Sequence, residues 1–149
     1  MRHGCFSLSV AIALGLAACA TSRTPAAFNA FDGPERPDSE IGLVRQVSAR
    51  LTVIDEKSVP AHPDADHFYY RDFRLVPGQH TLTAQRTWGA SILVAPGGFI
   101  EESRYLLLNV EAGHTYELRA DRTTGIGYKV YFWIEDTTLK KVVSGTPRT

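Results

Sequence analysis

Residues 62–67 hold the densest group of side chains capable of chemistry in this chain. His62, Asp64, Asp66 and His67 place two imidazoles and two carboxylates within six residues. Both groups are ligands for zinc and other divalent metals. Their spacing matches no established metal motif, however, and a polar loop between two strands explains the same residues. Metal binding by this loop is therefore an alternative hypothesis, and no cofactor is expected.

Two further histidines follow glycines in similar turn motifs. Residues 76–79 read Val-Pro-Gly-Gln before His80, and residues 111–113 read Glu-Ala-Gly before His114. Each motif predicts a hairpin turn. If the strands that carry them pair, the two rings would be neighbours. A hydrogen bond from each ring to a turn carbonyl or a carboxylate is the simpler interpretation.

The sequence offers no arrangement of residues typical of a hydrolase. Ser91 and Ser103 lie near the ends of predicted strands, but neither has a Gly-x-Ser-x-Gly setting. The pairs Glu101-Glu102 and Glu135-Asp136 are adjacent residues, which a strand directs to opposite faces. They are interpreted as solvated strand or turn ends. The chain is therefore predicted not to be an enzyme.

The aromatic residues are a candidate surface for stacking sugars or contacting a partner. Alternation along the strand over residues 128–135 directs Tyr131 and Trp133 to one face and Phe132 to the other. One of these sets is expected in the core. Trp88 is expected to be the most exposed aromatic residue, which makes it the first candidate for a binding contact.

Composition and cysteine placement narrow the class of protein. The chain has 149 residues, and its 16 Lys+Arg balance 16 Asp+Glu, so nothing indicates a nucleic-acid partner. The length predicts one domain. Cys5 and Cys19 both lie near the N-terminus, so the remainder of the chain has no residue for a disulfide or a thiolate zinc site.

Residues 1–18 have the layout of a signal peptide. A basic start at Arg2 precedes an apolar run over residues 6–18, and no acidic residue occurs before Asp32. The run is shorter than the roughly 20 apolar residues that a membrane-spanning helix needs. It is therefore predicted to target the chain and then to be removed.

The end of this run, Leu16-Ala17-Ala18-Cys19, resembles the lipobox of bacterial lipoproteins. The resemblance implies cleavage between Ala18 and Cys19, a diacylglycerol on the Cys19 thiol, and a further acyl chain such as palmitate on the new amino terminus. Two or more acyl chains anchor a protein stably. The alternative is an ordinary signal peptide with an incidental Cys19. By resemblance to the enterobacterial sorting rule, Ala20 favours the outer membrane, with the protein facing the periplasm and surface exposure left open.

Beyond the cleavage site, residues 19–37 are predicted to be a tether and residues 38–149 a β domain. Pro, Ser, Thr and Ala dominate the tether, although Phe28 and Phe31 are candidates to dock on the domain. The fold is predicted to be a single antiparallel β-sandwich, immunoglobulin-like or transthyretin-like, with about seven or eight strands. Residues 39–46 are expected to form a helical turn or two, and the strand over residues 128–135 is expected to be central. Strands are predicted over residues 48–54, 68–76, 80–86, 91–95, 104–110, 115–120, 128–135 and 139–143.

Four segments also resemble a group of small uncharacterised bacterial lipoproteins. The shared patterns are GP-x-x-P-x-x-E at residues 33–40, L-x-PG-x-H-x-L at 75–82, AG-H-x-Y-x-L at 112–118 and W-I-x-D at 133–136. The second pattern also looks like PEGA-type surface domains. The chain departs from these relatives at Glu56, where glycine is frequent. The resemblance implies a cell-envelope β-sandwich and no defined activity.

Together these features predict a lipid-anchored cell-envelope protein of structural or binding type. An exposed sheet edge or its hairpin loops are expected to contact another envelope protein or a glycan, and the membrane is contacted through Cys19. The alternative is a metal-binding periplasmic protein that uses His62, Asp64, Asp66 and His67.

Overall fold

A computed structural model describes residues 27–62, 70–89, 99–125 and 127–149 of the chain. These residues form ten strands and one short 3-10 turn at Asp38–Glu40. No helix among them is long and apolar enough to cross a membrane. The strand predicted over residues 91–95 lies outside the described residues. The strands are β1 (Phe28–Asn29), β2 (Gly42–Gln46), β3 (Arg50–Ile54), β4 (Lys57–Ser58), β5 (Asp72–Leu75), β6 (Gly78–Gly89), β7 (Phe99–Val110), β8 (Thr115–Arg122), β9 (Val130–Asp136) and β10 (Lys141–Gly145).

The strands form two sheets. One has six strands in the order β1-β5-β2-β8-β9-β10, and the other has four in the order β4-β3-β6-β7. The prediction of an all-β fold is therefore confirmed. The prediction of a single antiparallel sandwich is wrong, because β1 runs parallel to β5 and β2 runs parallel to β8. Strand β9, which was expected to be central, is paired on both sides by β8 and β10.

One hydrophobic core lies between the two sheets. Alternation along β8 buries Tyr116, Leu118 and Ala120, and the same period along β9 buries Phe132 and Ile134. Full burial of a large apolar side chain contributes roughly 1.5–3 kcal/mol. The four-stranded sheet adds to the same cluster Leu51, Ile54, Leu82, Ala84, Leu106, Leu108 and Val110.

Strand β2 replaces the helical turns expected over residues 39–46. Only Asp38–Glu40 is helical, and Gly42–Gln46 pairs with β5 on one side and β8 on the other. Gly42 lies at an inward position where a Cβ would collide with the side chain of Val110 and press on Tyr116. A glycine at this core position removes the apolar alternation that normally reveals a strand, which explains the wrong prediction.

Both predicted hairpin turns instead carry the chain from one sheet to the other. The turn at Pro77 joins β5 of the six-stranded sheet to β6 of the four-stranded sheet, and the turn at Gly113 joins β7 to β8. Gly113 has a φ of 76°, so the requirement for glycine in that turn is met. Because the two turns are crossovers, His80 and His114 lie in or beside different sheets and not on paired strands.

The folded part begins within the segment predicted to be the tether. Phe28 lies in β1, and its ring packs against those of Tyr70 and Phe73 at centroid distances of 5.0 and 5.9 Å. Arg74 then forms ion pairs with Glu35 and Asp38. From Phe28 onward this segment is therefore part of the β domain.

Candidate functional site

Most residues of the predicted lipid and metal sites lie outside the described residues. This applies to Ala18 and Cys19, and to Asp64, Asp66 and His67. His62 is described, and its ring lies 4.7 Å from the ring of Tyr70. Within the described ranges, no group of three or more His, Cys, Asp or Glu side chains is placed to hold a metal ion. The lipid site and the metal loop both stay predictions.

Trp88 is half-buried at the edge of the core and is not the most exposed aromatic residue. Its ring meets the ring of Phe132 in the facing sheet at 6.4 Å. The guanidinium groups of Arg86 and Arg122 lie 5.8 and 5.5 Å from the centre of the Trp88 ring. These contacts use much of its surface within the protein, so a role in binding a partner stays a prediction.

His80, near the start of β6, contacts Asp55, which directly follows β3. Its Nδ1 lies 2.6 Å from Asp55 Oδ2, and its Nε2 lies 2.8 Å from the carbonyl oxygen of Val76. Asp55 Oδ1 also accepts the backbone N–H of Thr81. Burial opposes the charge on Asp55, but the hydrogen bonds from Thr81 and His80 outweigh it, so the pKa of Asp55 lies below its ordinary value.

His114 makes a corresponding contact with the end of β9. Its Nδ1 lies 2.7 Å from Asp136 Oδ2, while Asp136 Oδ1 accepts the backbone N–H groups of Thr138 and Leu139. The hydrogen bond to Asp136 raises the pKa of His114. Burial opposes the charge on Asp136, but the contacts with His114, Leu139 and Thr138 together hold the pKa of Asp136 below its ordinary value.

Neither aspartate–histidine pair forms a hydrolytic site in the described part of the chain. Both ring nitrogens of His80 are occupied, so neither is free to take a proton from a substrate. The Nε2 of His114 lies 3.6 Å from Glu111 Oε2, and no hydroxyl of a described residue hydrogen-bonds to it. A general base needs a nucleophile within hydrogen-bond reach. The simpler interpretation of both histidines is confirmed.

A polar depression of about 300 Å³ lies between residues 46–50 and residues 85–87. Arg50 and Arg86 line it, which makes it a candidate site for an anion. The Arg50 guanidinium donates to the side chain of Gln85, however, and that of Arg86 donates to the carbonyl oxygen of Ser48. Both guanidinium groups therefore hold local structure.

Strand β7 carries the largest group of exposed apolar side chains among the described residues. Its outward-facing side chains include Phe99, Tyr105 and Leu107, which are 78%, 59% and 54% exposed. Glu101, Ser103 and Asn109 complete this row and are also exposed. Strand β7 pairs with β6 along its whole length and has no partner strand on its other side in the described residues. We call this free side, Phe99–Val110, the β7 edge.

The hydrogen-bonding pattern of β6 shows which backbone groups the β7 edge presents. The carbonyl oxygens of Thr81 and Thr83 accept hydrogen bonds on the β3 side. Because N–H and C=O groups alternate sides along an antiparallel strand, the even residues of β6 face β7. They pair with even residues of β7, such as Leu82 with Leu106. The odd residues of β7 therefore direct their N–H and C=O groups to the free side.

A groove lies beside the β7 edge. It has a volume of about 420 Å³ and is lined by residues 104–107 of β7 and by parts of β9 and β10. Leu106, Val130 and Phe132 supply apolar surface there. Within the described residues β7 and β10 are not paired, so the groove separates the edges of the two sheets.

The other sheet edges have features that discourage pairing with another chain. Strands β1 and β4 have only two residues each. The register of β10 shifts between Val142 and Ser144, and the strand begins with Lys141. Short strands, lysines and bulges are established protections of sheet edges. The β7 edge has twelve residues, an unbroken register with β6, and no lysine or proline, although Glu101, Glu102 and Arg104 place charges on it.

Comparison of the chain with family models, with curated proteins and with solved structures gives no match.

Proposed function

We propose that the protein is a lipid-anchored binding protein of the bacterial cell envelope without catalytic activity. In this proposal its β domain binds an extended segment of a protein partner along the β7 edge. The observation that carries the proposal is this twelve-residue, regular edge, which has no partner strand in the described residues and exposes Phe99, Tyr105 and Leu107. Addition of a strand to an exposed sheet edge is a recurring mode of peptide recognition.

The membrane anchor rests on the lipobox-like segment that ends at Cys19. In the proposal, the lipid on Cys19 holds the protein at the outer membrane, and the β domain faces the periplasm. Growth with labelled palmitate tests this step. The full chain should incorporate label, and Cys19→Ser should not. Incorporation that continues in Cys19→Ser would contradict the anchor.

Strand addition suits the chemistry of the β7 edge better than glycan binding does. The odd residues of β7 present a row of backbone donors and acceptors that no described residue pairs, and an extended peptide can satisfy them one for one. The side chains of Tyr105 and Leu107, on the outer face of the sheet, offer apolar contacts to the side chains of an added strand. Trp88, the aromatic residue first considered for sugar stacking, is instead engaged by Phe132, Arg86 and Arg122.

Site-specific photocrosslinking in intact cells tests the binding function. A photoreactive residue at Tyr105 or Leu107 of the full chain should give a protein adduct, which mass spectrometry then identifies. The matched control is Val47, which is 47% exposed but lies in the bend after β2 and not on β7. Adducts at Val47 equal to those at Tyr105, or an adduct that is a glycan, would contradict the proposal.

We infer an immunoglobulin-like or transthyretin-like arrangement from the two sheets that share one core. The parallel pairing of β2 with β8 departs from a purely antiparallel arrangement of either type. An experimental structure with a match to one of these folds would support the assignment.

A further inference from the structure

We propose that the partner at the β7 edge is a second copy of the same chain, joined by antiparallel pairing of β7 with β7 around Ser103. This inference rests on the proposed function, because it names the partner of the same edge. It joins the four-stranded sheets of two copies into one continuous sheet. The symmetry of the edge sequence around Ser103 carries the inference.

The backbone of the β7 edge permits this pairing. The odd residues direct their N–H and C=O groups outward, so two copies must place odd residues opposite odd residues. A twofold axis at Ser103 meets this condition. It pairs Ser103 with its own copy, Glu101 with Tyr105, and Phe99 with Leu107.

The charges favour the register with the axis at Ser103 over the registers with the axis at Glu102 or at Arg104. With the axis at Ser103, Glu102 of each copy lies opposite Arg104 of the other, so the dimer gains two pairs of opposite charge. An axis at Glu102 or at Arg104 would place like charges directly opposite, which is unfavourable on a sheet. Glu102 and Arg104 also fall at positions where opposite residues approach most closely, because the even residues form the non-hydrogen-bonded pairs.

The apolar residues are matched by the same axis. On the outer row, Phe99 of one copy lies opposite Leu107 of the other, and these are two of the most exposed apolar side chains of the described residues. On the inner row, Ile100 lies opposite Leu106, which lines the groove between β7 and β9. Because Leu106 is already buried within one copy, this inner pair adds an apolar match and little further burial of Leu106.

Disulfide trapping in cells tests the register. Opposite residues in a hydrogen-bonded antiparallel pair have Cα atoms about 5.5 Å apart, within the range for a disulfide. Ser103→Cys in the full chain should therefore give a covalent dimer on a non-reducing gel. Asn109→Cys is the matched control, since it is exposed on the same row but lies about 40 Å from its own copy in this register. Equal linkage of the two variants would overturn the inference.

Charge exchange gives a second test in the Ser103→Cys background. Glu102→Arg alone and Arg104→Glu alone should each slow the linkage by about tenfold, because each creates two pairs of like charge. The double variant should restore the original rate. Failure of the double variant to recover, with all variants equally resistant to protease, would overturn the pairing of Glu102 with Arg104.

The two proposals fail in different ways. If Ser103→Cys gives no dimer while the photoreactive residue at Tyr105 links to a different protein, the self-pairing is wrong and the binding function stands. If Tyr105 links to no protein at all, the binding function is wrong. An adduct of Tyr105 with twice the mass of the chain supports both.

Discussion

The two aspartate–histidine pairs occupy equivalent places in the two sheets but are buried in opposite ways. Each links the end of one strand to the neighbouring antiparallel strand. At the first pair, the side chain of His80 is 8% exposed and that of Asp55 is 43% exposed. At the second pair, Asp136 is 2% exposed and His114 is 18% exposed. The buried partner is the histidine in one sheet and the carboxylate in the other.

This difference determines what each pair stabilises. Asp136 Oδ1 accepts two backbone N–H groups of the β9–β10 turn, and its other oxygen contacts His114. Asp136 therefore joins β8, β9 and the following turn from a buried position. Asp55 contacts His80 and the backbone of Thr81, but its carboxylate is also reached by water. Loss of the buried carboxylate should cost more than loss of the exposed one.

The largest effect is expected for Asp136→Ala. Hydrogen bonds to charged groups contribute about 1.5–3 kcal/mol, and a buried partner left unsatisfied adds to the cost. We expect the free energy of unfolding to fall by about 3 kcal/mol for Asp136→Ala and by about 1 kcal/mol for Asp55→Ala. Urea unfolding of both variants measures the two values. Equal losses would show that burial of the carboxylate does not distinguish the pairs.

The opposite order is expected for the histidines. His80→Ala removes a buried ring together with its contacts to Asp55 and to the carbonyl oxygen of Val76. The loss should be about 2 kcal/mol. His114→Ala should cost less, because the ring of His114 is partly in solvent and its Nε2 has no hydrogen bond as short as those of His80. A larger loss for His114→Ala in urea unfolding would contradict the comparison.

The pH dependence of stability should reveal the His114 pair. The pKa of His114 is raised in the folded protein, so the pair contributes fully below the unfolded value near 6.5 and loses its contribution as pH rises through the folded value. The pKa of Asp136 is lowered, so its contribution is present above the unfolded value near 3.8 and is lost as pH falls through the folded value. The pair is therefore strongest between these limits.

His114→Gln tests this window. The variant should lose more stability relative to the native chain at about pH 5.5 than at about pH 9, as measured by urea unfolding at both values. Glu56→Gly is a suitable control, because its effect arises from the backbone and should be the same at both values. A loss in His114→Gln that does not depend on pH would exclude the charged form of His114 as its source.

The sequence predicted the strands better than it predicted their partners. Predicted strands over residues 80–86, 104–110 and 115–120 overlap β6, β7 and β8, since alternation is a local signal. The turns at Pro77 and Gly113 were recognised as reversals, but both change sheet. A turn motif reports the local backbone, whereas the sheet that the next strand joins depends on packing across the whole core.

The candidate surface was harder to predict for a similar reason. Tyr105, Leu106, Leu107 and Leu108 form an apolar run typical of a strand buried on both faces. Tyr105 and Leu107 are exposed because none of the described residues covers the outer face of β7. Asp136 is the opposite case. Its place at a strand end predicts a solvated carboxylate, but the structure buries it. Its burial depends on His114, which lies far away in sequence and near in space.

The smallest expected effect concerns the turns beside the two aspartates. Asp55 and Glu56 both have positive φ, 47° and 65°, which forms a two-residue turn between β3 and β4 that favours glycine at its second position. Glu56→Gly should relieve this strain and raise the free energy of unfolding by about 0.5 kcal/mol, because the entropy that glycine loses on folding offsets part of the gain.

Lys140, with a φ of 55° in the turn after Asp136, offers the matched substitution Lys140→Gly. Both variants should gain stability in urea unfolding, because the strain belongs to the backbone and not to the neighbouring pair. A gain at Lys140 with a loss at Glu56 would show that the Glu56 side chain stabilises the first turn by a contact of its own. In that case the turn beside the exposed Asp55 would be stabilised by side-chain contacts. The turn beside the buried Asp136 would be stabilised by the backbone N–H groups that Asp136 accepts.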